Sequence, residues 1–140
     1  MNPNIIRVMF DTNIIISAIL NTAGLPNLAL LTAAEFPYTI VLCDQIIDEM
    51  RRVFNRKFPY RIPDMEQFIA DMRYDLATLA AEDAVSADEL EIRDVNDRPI
   101  LRAARKANVD ILVTGDKDFL ESVLTRPKVM TAAQFVQSRA

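Results

Sequence analysis

Seven carboxylates in four short stretches have the types and positions to do chemistry together. Asp11 closes the apolar run that opens "IIRVMFDTNIIISAIL"; Asp48 and Glu49 lie in "CDQIIDEMRRVF", Asp94 and Asp97 in "RDVNDRPIL", and Asp116 and Asp118 in "TGDKDF". Histidine is absent from the chain, which excludes Ser–His, Cys–His and paired-imidazole mechanisms and zinc sites of the His-rich kind. Only two glycines occur, Gly24 and Gly115, so neither GxGxxG nor GxxxxGK(S/T) can be written. Polar chemistry must then rest on carboxylates, hydroxyls, lysines or arginines. Acids that converge on one cleft repel one another, and some are forced to protonate unless a cation sits among them. Oxygen-only ligands with partial hydration suit Mg²⁺ or Mn²⁺. Such ions activate water and support in-line displacement at phosphorus without histidine.

The surrounding elements must bring these acids together. Residues 5–10 read as a buried strand and 13–21 as a helix. Pro26 fits the first turn of another helix through about Phe36. A second strand covers 39–43, and Asp44 caps a helix to about Phe58 with Ile46, Ile47, Met50, Val53 and Phe54 on one stripe. Asp64 opens a further helix, with Met65, Phe68, Ile69, Met72 and Leu76 at helical spacing. Residues 84–92 are ambiguous, with room for a short strand. A helix from Asp97 to Ala107, a strand at 111–113, a short helix at 117–124, a strand at 128–130 and a closing helix at 132–138 complete the chain. Strands alternating with helices imply one α/β domain spanning residues 1–140, a three-layer αβα sandwich around a mainly parallel, twisted, Rossmann-like sheet. Ligands of open parallel sheets bind outside the carboxyl ends of the strands. Asp11 follows the first strand, and Asp116 and Asp118 follow the strand at 111–113, so both groups fall on that edge.

Each acid also has a plain local role. Asp11 or Asn13 can cap the first helix, Asp97 can cap the helix that Pro99 helps begin, and the acids around Lys117 can shape a turn and cap. On the helix after Asp44, at 100° per residue, Glu49 lies about 100° from the centre of the apolar stripe and Asp48 about 160°. Asp48 faces water, within reach of Arg52. Glu49 borders the stripe and is the better site candidate.

The bulk composition is that of an ordinary globule, 51% apolar and 26% charged, with a net charge of −4. No apolar stretch approaches the ~20 residues of a membrane span. A single early Arg7 and no small-residue cleavage site give no signal peptide, and the lone Cys43 agrees with a reducing, cytoplasmic home and a buried structural thiol. The acidic balance argues against a generally basic nucleic-acid surface. "RRVFNRKFPYR" (51–61) departs from it with five basic residues, no acid and three aromatics. It reads either as a solvated helix end or as a local phosphate-contacting patch.

The order and spacing of "FDTNIIISAIL", "CDQIIDEMRRVF", "RDVNDRPILRAARKANVDILVTGDKDF" and "VMTAAQFV" resemble the PIN-domain ribonucleases, most closely the VapC-like toxins of prokaryotic toxin–antitoxin pairs, from about residue 5 to 136. That resemblance places the family's four acids on Asp11, Glu49, Asp97 and Asp116. Asp94 and Asp118 are supporting acids, and Thr12, Asn13 and Ser17 are the polar companions of the first. It implies Mg²⁺- or Mn²⁺-dependent hydrolysis of RNA phosphodiesters by an activated water, with Asp11, Asp97 and Asp116 as metal ligands and Glu49 and Asp118 completing the shell or orienting the water. Arg51, Arg52, Arg56, Lys57 and Arg61 would hold the RNA backbone. A homodimer, a cognate antitoxin that masks the cleft, and no membrane association complete the expectation.

Two other functions fit parts of the pattern. Phosphotransfer through an aspartyl phosphate would use Asp11 as nucleophile. A haloacid-dehalogenase-like motif, however, wants an aspartate where Asn13 stands, and a receiver-like motif wants paired acids beside the first strand. A non-catalytic partner-binding module would leave every acid as a cap or a solvated face.

Overall fold

The strand at Ile6–Phe10 (β1) buries Val8, Met9 and Phe10 completely. Successive strand side chains point to opposite faces, so β1 is covered on both sides. The same holds for the strand at Tyr38–Cys43 (β2), where Ile40 to Cys43 are all buried. The structure, a computed structural model, describes residues 4–80, 83 and 85–139.

Between β1 and β2 run helices α1 (Thr12–Leu20) and α2 (Leu25–Ala33); after β2 come α3 (Asp44–Lys57), a short 3₁₀ turn and α4 (Ile62–Asp71). Strand β3 (Asp75–Ala77), a 3₁₀ turn at Ala87–Glu91, α5 (Arg98–Lys106), β4 (Ile111–Val113), α6 (Lys117–Leu120), β5 (Lys128–Met130) and α7 (Ala132–Arg139) follow. All strand pairs are parallel, in the order β3-β2-β1-β4-β5. The chain steps outward from β1 to β3 and then returns to the far side of β1. Because such crossovers are right-handed, the helices of the first two connections cover one face and α5 the other. α5 indeed packs on β2 and β3, while α1 meets α2, α3 and α4. The result is the expected three-layer α/β fold, and its topological switch point lies between β1 and β4.

The core runs through both layers. Phe135 of α7 packs edge-on against Phe10 and Tyr38, with ring centroids 6.1 and 5.1 Å apart, which ties the closing helix to the central strands. Cys43 is buried at the end of β2, and burial pushes its thiol up to about 11, so it stays protonated and inert at neutral pH. No single helix among the described residues is long and apolar enough to cross a membrane.

Several expectations need correction. α4 ends at Asp71, so Leu76 is not on its stripe; it belongs to β3 and is 54% exposed. β3 was not expected at all. Its three residues bury only Ala77, too little for an alternating pattern to register. The segment 84–92 forms a 3₁₀ turn at Ala87–Glu91 and not a strand, residue 84 lying outside the described residues. Cys43, not Asp44, occupies the cap position of α3. Asp44 is the first helical residue, where its charge still meets the helix dipole favourably. α2 stops at Ala33, short of Phe36, and α6 is a single turn that ends at Leu120.

The long connection from β3 to α5 is anchored before it reaches the site. Ile92 is fully buried, and Glu89, 2% exposed, accepts from Arg102 at 2.8 Å. Burial alone would raise the Glu89 carboxyl, but the hydrogen bonds from Arg102 and Ser86 bring it below its ordinary value. Arg105 grips Asp88 on the same turn, and Lys106 reaches Asp83 at 2.9 Å. Arg98 donates to the Ile92 carbonyl at 2.8 Å, which fixes the start of α5 relative to this anchor.

Candidate active site

Asp11 leaves β1 at the switch point. Its backbone N–H donates to Val113 at 3.0 Å, extending the β1–β4 ladder by one residue. Its side chain caps α1: one carboxylate oxygen accepts from the Thr12 N–H at 2.7 Å and the other from the Thr114 hydroxyl at 2.9 Å. The residue is 6% exposed. Burial raises its pKa, the Thr114 and Thr12 hydrogen bonds oppose that, and the charges of Glu49 and Asp116 add to it. Cap and site are therefore one residue here. With both oxygens already hydrogen-bonded at the foot of the cleft, Asp11 is badly placed as the nucleophile of a phospho-aspartate mechanism.

The helical-wheel distinction on α3 is visible directly. Asp48 is exposed, whereas Glu49 is half-buried and its Oε2 accepts from the Thr12 hydroxyl at 3.0 Å. Thr12 thus donates its backbone to Asp11 and its side chain to Glu49, and holds the two acids side by side.

Asp97 stands at the cap position of α5, but its carboxyl makes no capping hydrogen bond. The side chain instead lies against Asp116, close enough for the two carboxyls to interact directly. Burial, the charge of Asp11, this contact with Asp116 and the charge of Asp94 push Asp97 up to about 7. Asp94 itself is exposed; its carboxylate accepts from the Asn96 N–H at 2.9 Å and its carbonyl from the Asp97 N–H at 3.0 Å, shaping the loop that presents Asp97. Asp116 caps α6 by accepting from the Asp118 N–H at 2.7 Å.

Sequence reasoning missed Thr114. Fully buried at the end of β4, it donates to Asp11, and its oxygen accepts from the Asp116 N–H at 2.9 Å. One hydroxyl therefore registers the first acid against the fourth. A signal existed in "VTGD": a hydroxyl directly after a strand and two residues before an acid, as Thr12 directly follows Asp11.

Asp11, Asp97 and Asp116 thus form a cluster in electrostatic contact, with Glu49 joined through Thr12 and Asp94 and Asp118 at its rim. Asn13 and Ser17 are exposed on α1, and no described hydrogen bond ties their side chains to the acids. The basic segment divides. Arg51 is bound to Glu66 at 2.9 and 3.1 Å, and Arg61 to Asp64 at 2.6 Å and to the Ile19 carbonyl at 3.1 Å. Arg52, Arg56 and Lys57 are exposed, with no ion pair among the described residues. Arg52 and Arg56 follow Glu49 by three and seven positions, along the same side of α3. A groove of about 710 Å³ between α1–α2 and α4 contains none of the clustered acids.

Among the described residues, no three acidic side chains converge closely enough to enclose an ion. Mg²⁺ does not require such a cage, because it keeps several waters and takes one or two carboxylates directly. The donor set is all oxygen, and the charges of Asp11, Asp116 and Asp94 add to burial in raising Asp97, a sign of mutual repulsion. A hydrated divalent cation relieves the same repulsion, so the residues fit the ion in type and charge.

A family profile for the PIN domain matches residues 7–118 of the chain. No curated protein matches it at a significant level. Among solved structures, a chain of VapBC2 from Rickettsia felis, bound to a DNA fragment from its promoter, superposes with a TM-score of 0.68 at 19% identity, covering 90% of this chain and 98% of that one. A chain of DNA-bound VapBC from Salmonella typhimurium superposes with a TM-score of 0.67 at 15% identity, covering 91% and 99%. These likenesses establish a shared fold.

Proposed function

The chain belongs to the PIN-domain family, and from that premise we propose that it is a Mg²⁺- or Mn²⁺-dependent endoribonuclease, the toxin of a toxin–antitoxin pair. The observation that carries the reading is the gathering of Asp11, Asp97 and Asp116 at the switch point, where burial first and the neighbouring carboxylates second push Asp97 up to about 7. A set of unrelated caps would not perturb one another in this way, which speaks against a non-catalytic module.

Asp11, Asp97 and Asp116 would hold the ion, directly or through water; bound there, it supplies an activated water and offsets charge at the phosphate. Glu49, oriented by Thr12, is placed to accept a proton from the attacking water. Asp118 fixes Asp116 through its backbone N–H, and Thr114 fixes it relative to Asp11. Arg52, Arg56 and Lys57 extend from the Glu49 side of the cleft and hold the RNA backbone, whereas Arg51 and Arg61 chiefly brace α3, α4 and α1. We assign residues 1–140 to a single domain acting in the cytoplasm as a homodimer. The superposition on chains of two VapBC complexes supports a protein antitoxin as the partner that masks the cleft.

The test is cleavage of structured and unstructured RNAs with Mn²⁺, Mg²⁺ or EDTA, beside an Asp11→Asn control. Cleavage should require the ion and disappear in the variant. Cleavage that persists in EDTA, or in Asp11→Asn at the parental rate, would remove the assignment.

A further inference from the structure

Arg93 stands where the two acid-bearing loops meet. It directly precedes Asp94 on the loop that leads to Asp97, and its side chain crosses to α6, reaching Asp118 at 2.8 Å and Glu121, at the end of that helix, at 3.4 Å. Both contacts use Nη2; no described contact engages Nε or Nη1. The side chain is 71% exposed. Its neighbour Arg98 is turned inward to the Ile92 carbonyl. Lys117 is exposed beside Asp116 but offers only a compact charge without a planar fork.

Resting on the nuclease reading above, we infer that Arg93 is an RNA-binding residue that holds a backbone phosphate at the mouth of the acid cluster. The cluster has a problem that this residue solves. A polyanion approaching several carboxylates is repelled at close range, and a fixed cation within a Debye length of about 8 Å offsets that repulsion. A guanidinium also binds phosphate through paired donors, and Arg93 has donors to spare. The pair with Glu121 is exposed on both sides and that with Asp118 on the arginine side, so water competes for both and they yield readily to a phosphate.

Placement supports the same role. A continuous path of hydrogen bonds from Glu49 through Thr12, Asp11, Thr114 and Asp116 to Asp118 is completed by the ion pair of Asp118 with Arg93. Arg52 and Arg56 lie on α3 at the Glu49 end, and Arg93 lies at the other. An RNA strand crossing the acids therefore meets positive charge on both sides of them.

The experiment measures binding, not cleavage. A fluorescein-labelled single-stranded RNA is titrated by anisotropy with Ca²⁺ replacing Mg²⁺, an oxygen-seeking ion of looser geometry. Arg93→Ala should weaken binding by about tenfold and lower the salt slope by about 0.7, the value for one phosphate on a single strand. Arg93→Lys should restore the slope but only part of the affinity. Glu121→Gln should tighten binding, because it frees Arg93, and should give no gain in the Arg93→Ala background. Melting temperatures should agree within about 2 °C, since the Arg93 side chain is itself exposed to water. Unchanged affinity and slope in Arg93→Ala, or an equal gain from Glu121→Gln in both backgrounds, overturns the assignment and leaves the nuclease reading intact. A parent protein that neither binds nor cleaves RNA overturns both.

Discussion

The proton held by Asp97 makes the metal-free fold sensitive to pH in a range where most acids are silent. Asp97 is pushed up to about 7 in the folded chain, against an ordinary value of 3.8. The folded state therefore binds this proton more tightly than the unfolded state. The resulting stability is complete below about pH 4 and is lost as pH rises through about 7. At about 1.4 kcal/mol per pH unit, the full displacement would amount to roughly 4 kcal/mol, and discounting by half or more for solvent access leaves about 1–2 kcal/mol. For a domain of this size that is a fall in melting temperature of roughly 4–8 °C between pH 5 and pH 8. The assay is thermal unfolding in EDTA at several pH values, beside Asp97→Asn, which carries no proton to lose. Acids held low in the fold, such as Asp88 at about 2 beside Arg105, weaken the protein only in more acid solution and do not enter this window. Asp97→Asn should show a flatter profile and match or exceed the parent at pH 8. Mg²⁺ at a fixed concentration ten times its dissociation constant at pH 8 should add about 1.4 kcal/mol there, and less at pH 5, where it must first displace the Asp97 proton. Parallel profiles for parent and variant would refute the reasoning.

On α3, Glu49→Gln should reduce metal-dependent cleavage at least tenfold more than Asp48→Asn, measured as kcat/KM on one RNA; equal losses would erase the distinction. Thr114→Val should lower stability by about 1–3 kcal/mol in denaturant unfolding, by leaving a buried carboxylate oxygen and the Asp116 N–H without their shared partner. Thr114→Ser should recover most of that loss, and a Val variant as stable as the parent would disprove the role. Reversing Arg56 and Lys57 to glutamate should weaken RNA binding and flatten its salt slope by roughly 0.7 per lost phosphate contact. Ion affinity, followed by calorimetry, should barely move, and a large loss of Mn²⁺ binding with RNA binding intact would contradict the placement.

Much of the site was legible because strand ends are marked twice, by apolar runs that stop and by polar residues that begin. Ile111–Val113 and Lys128–Met130 have the expected bounds, and Asp11 and Asp116 fell on the correct edge from that alone. Glu49 was separable from Asp48 because helical phase is a local property. Strand order is not local. Nothing in the chain before the fold is known says that β4 pairs with β1, and without that pairing Thr114 has no visible reason to touch Asp11. Asp97 shows the opposite problem. Its position before Arg98-Pro99 carries every sign of a capping residue, yet its carboxyl is drawn to Asp116 because the fold sets a second acid within reach. β3 escaped because Asp75 and Leu76 are both exposed at the edge of the sheet, leaving one buried residue to mark a strand.

The strand order also schedules the birth of the active site. Asp11 and Thr114 are hydrogen-bonded across 103 residues of sequence, the kind of distant pairing that forms late because a long loop must close first. As the chain leaves the ribosome, β1, β2 and β3 can assemble while β4 is still unmade. At about 5–20 residues per second, β1 waits roughly 5–20 s for the partner that carries Thr114 and Asp116. Until then Asp11 has neither its buried hydroxyl nor the acid opposite it. On the proposed nuclease reading, a fragment ending before Ile111 should show no cleavage even with its N-terminal strands paired. In this fold the acids are far apart along the chain, so the carboxylate cluster exists only after the segment carrying Thr114 and Asp116 has been made and paired.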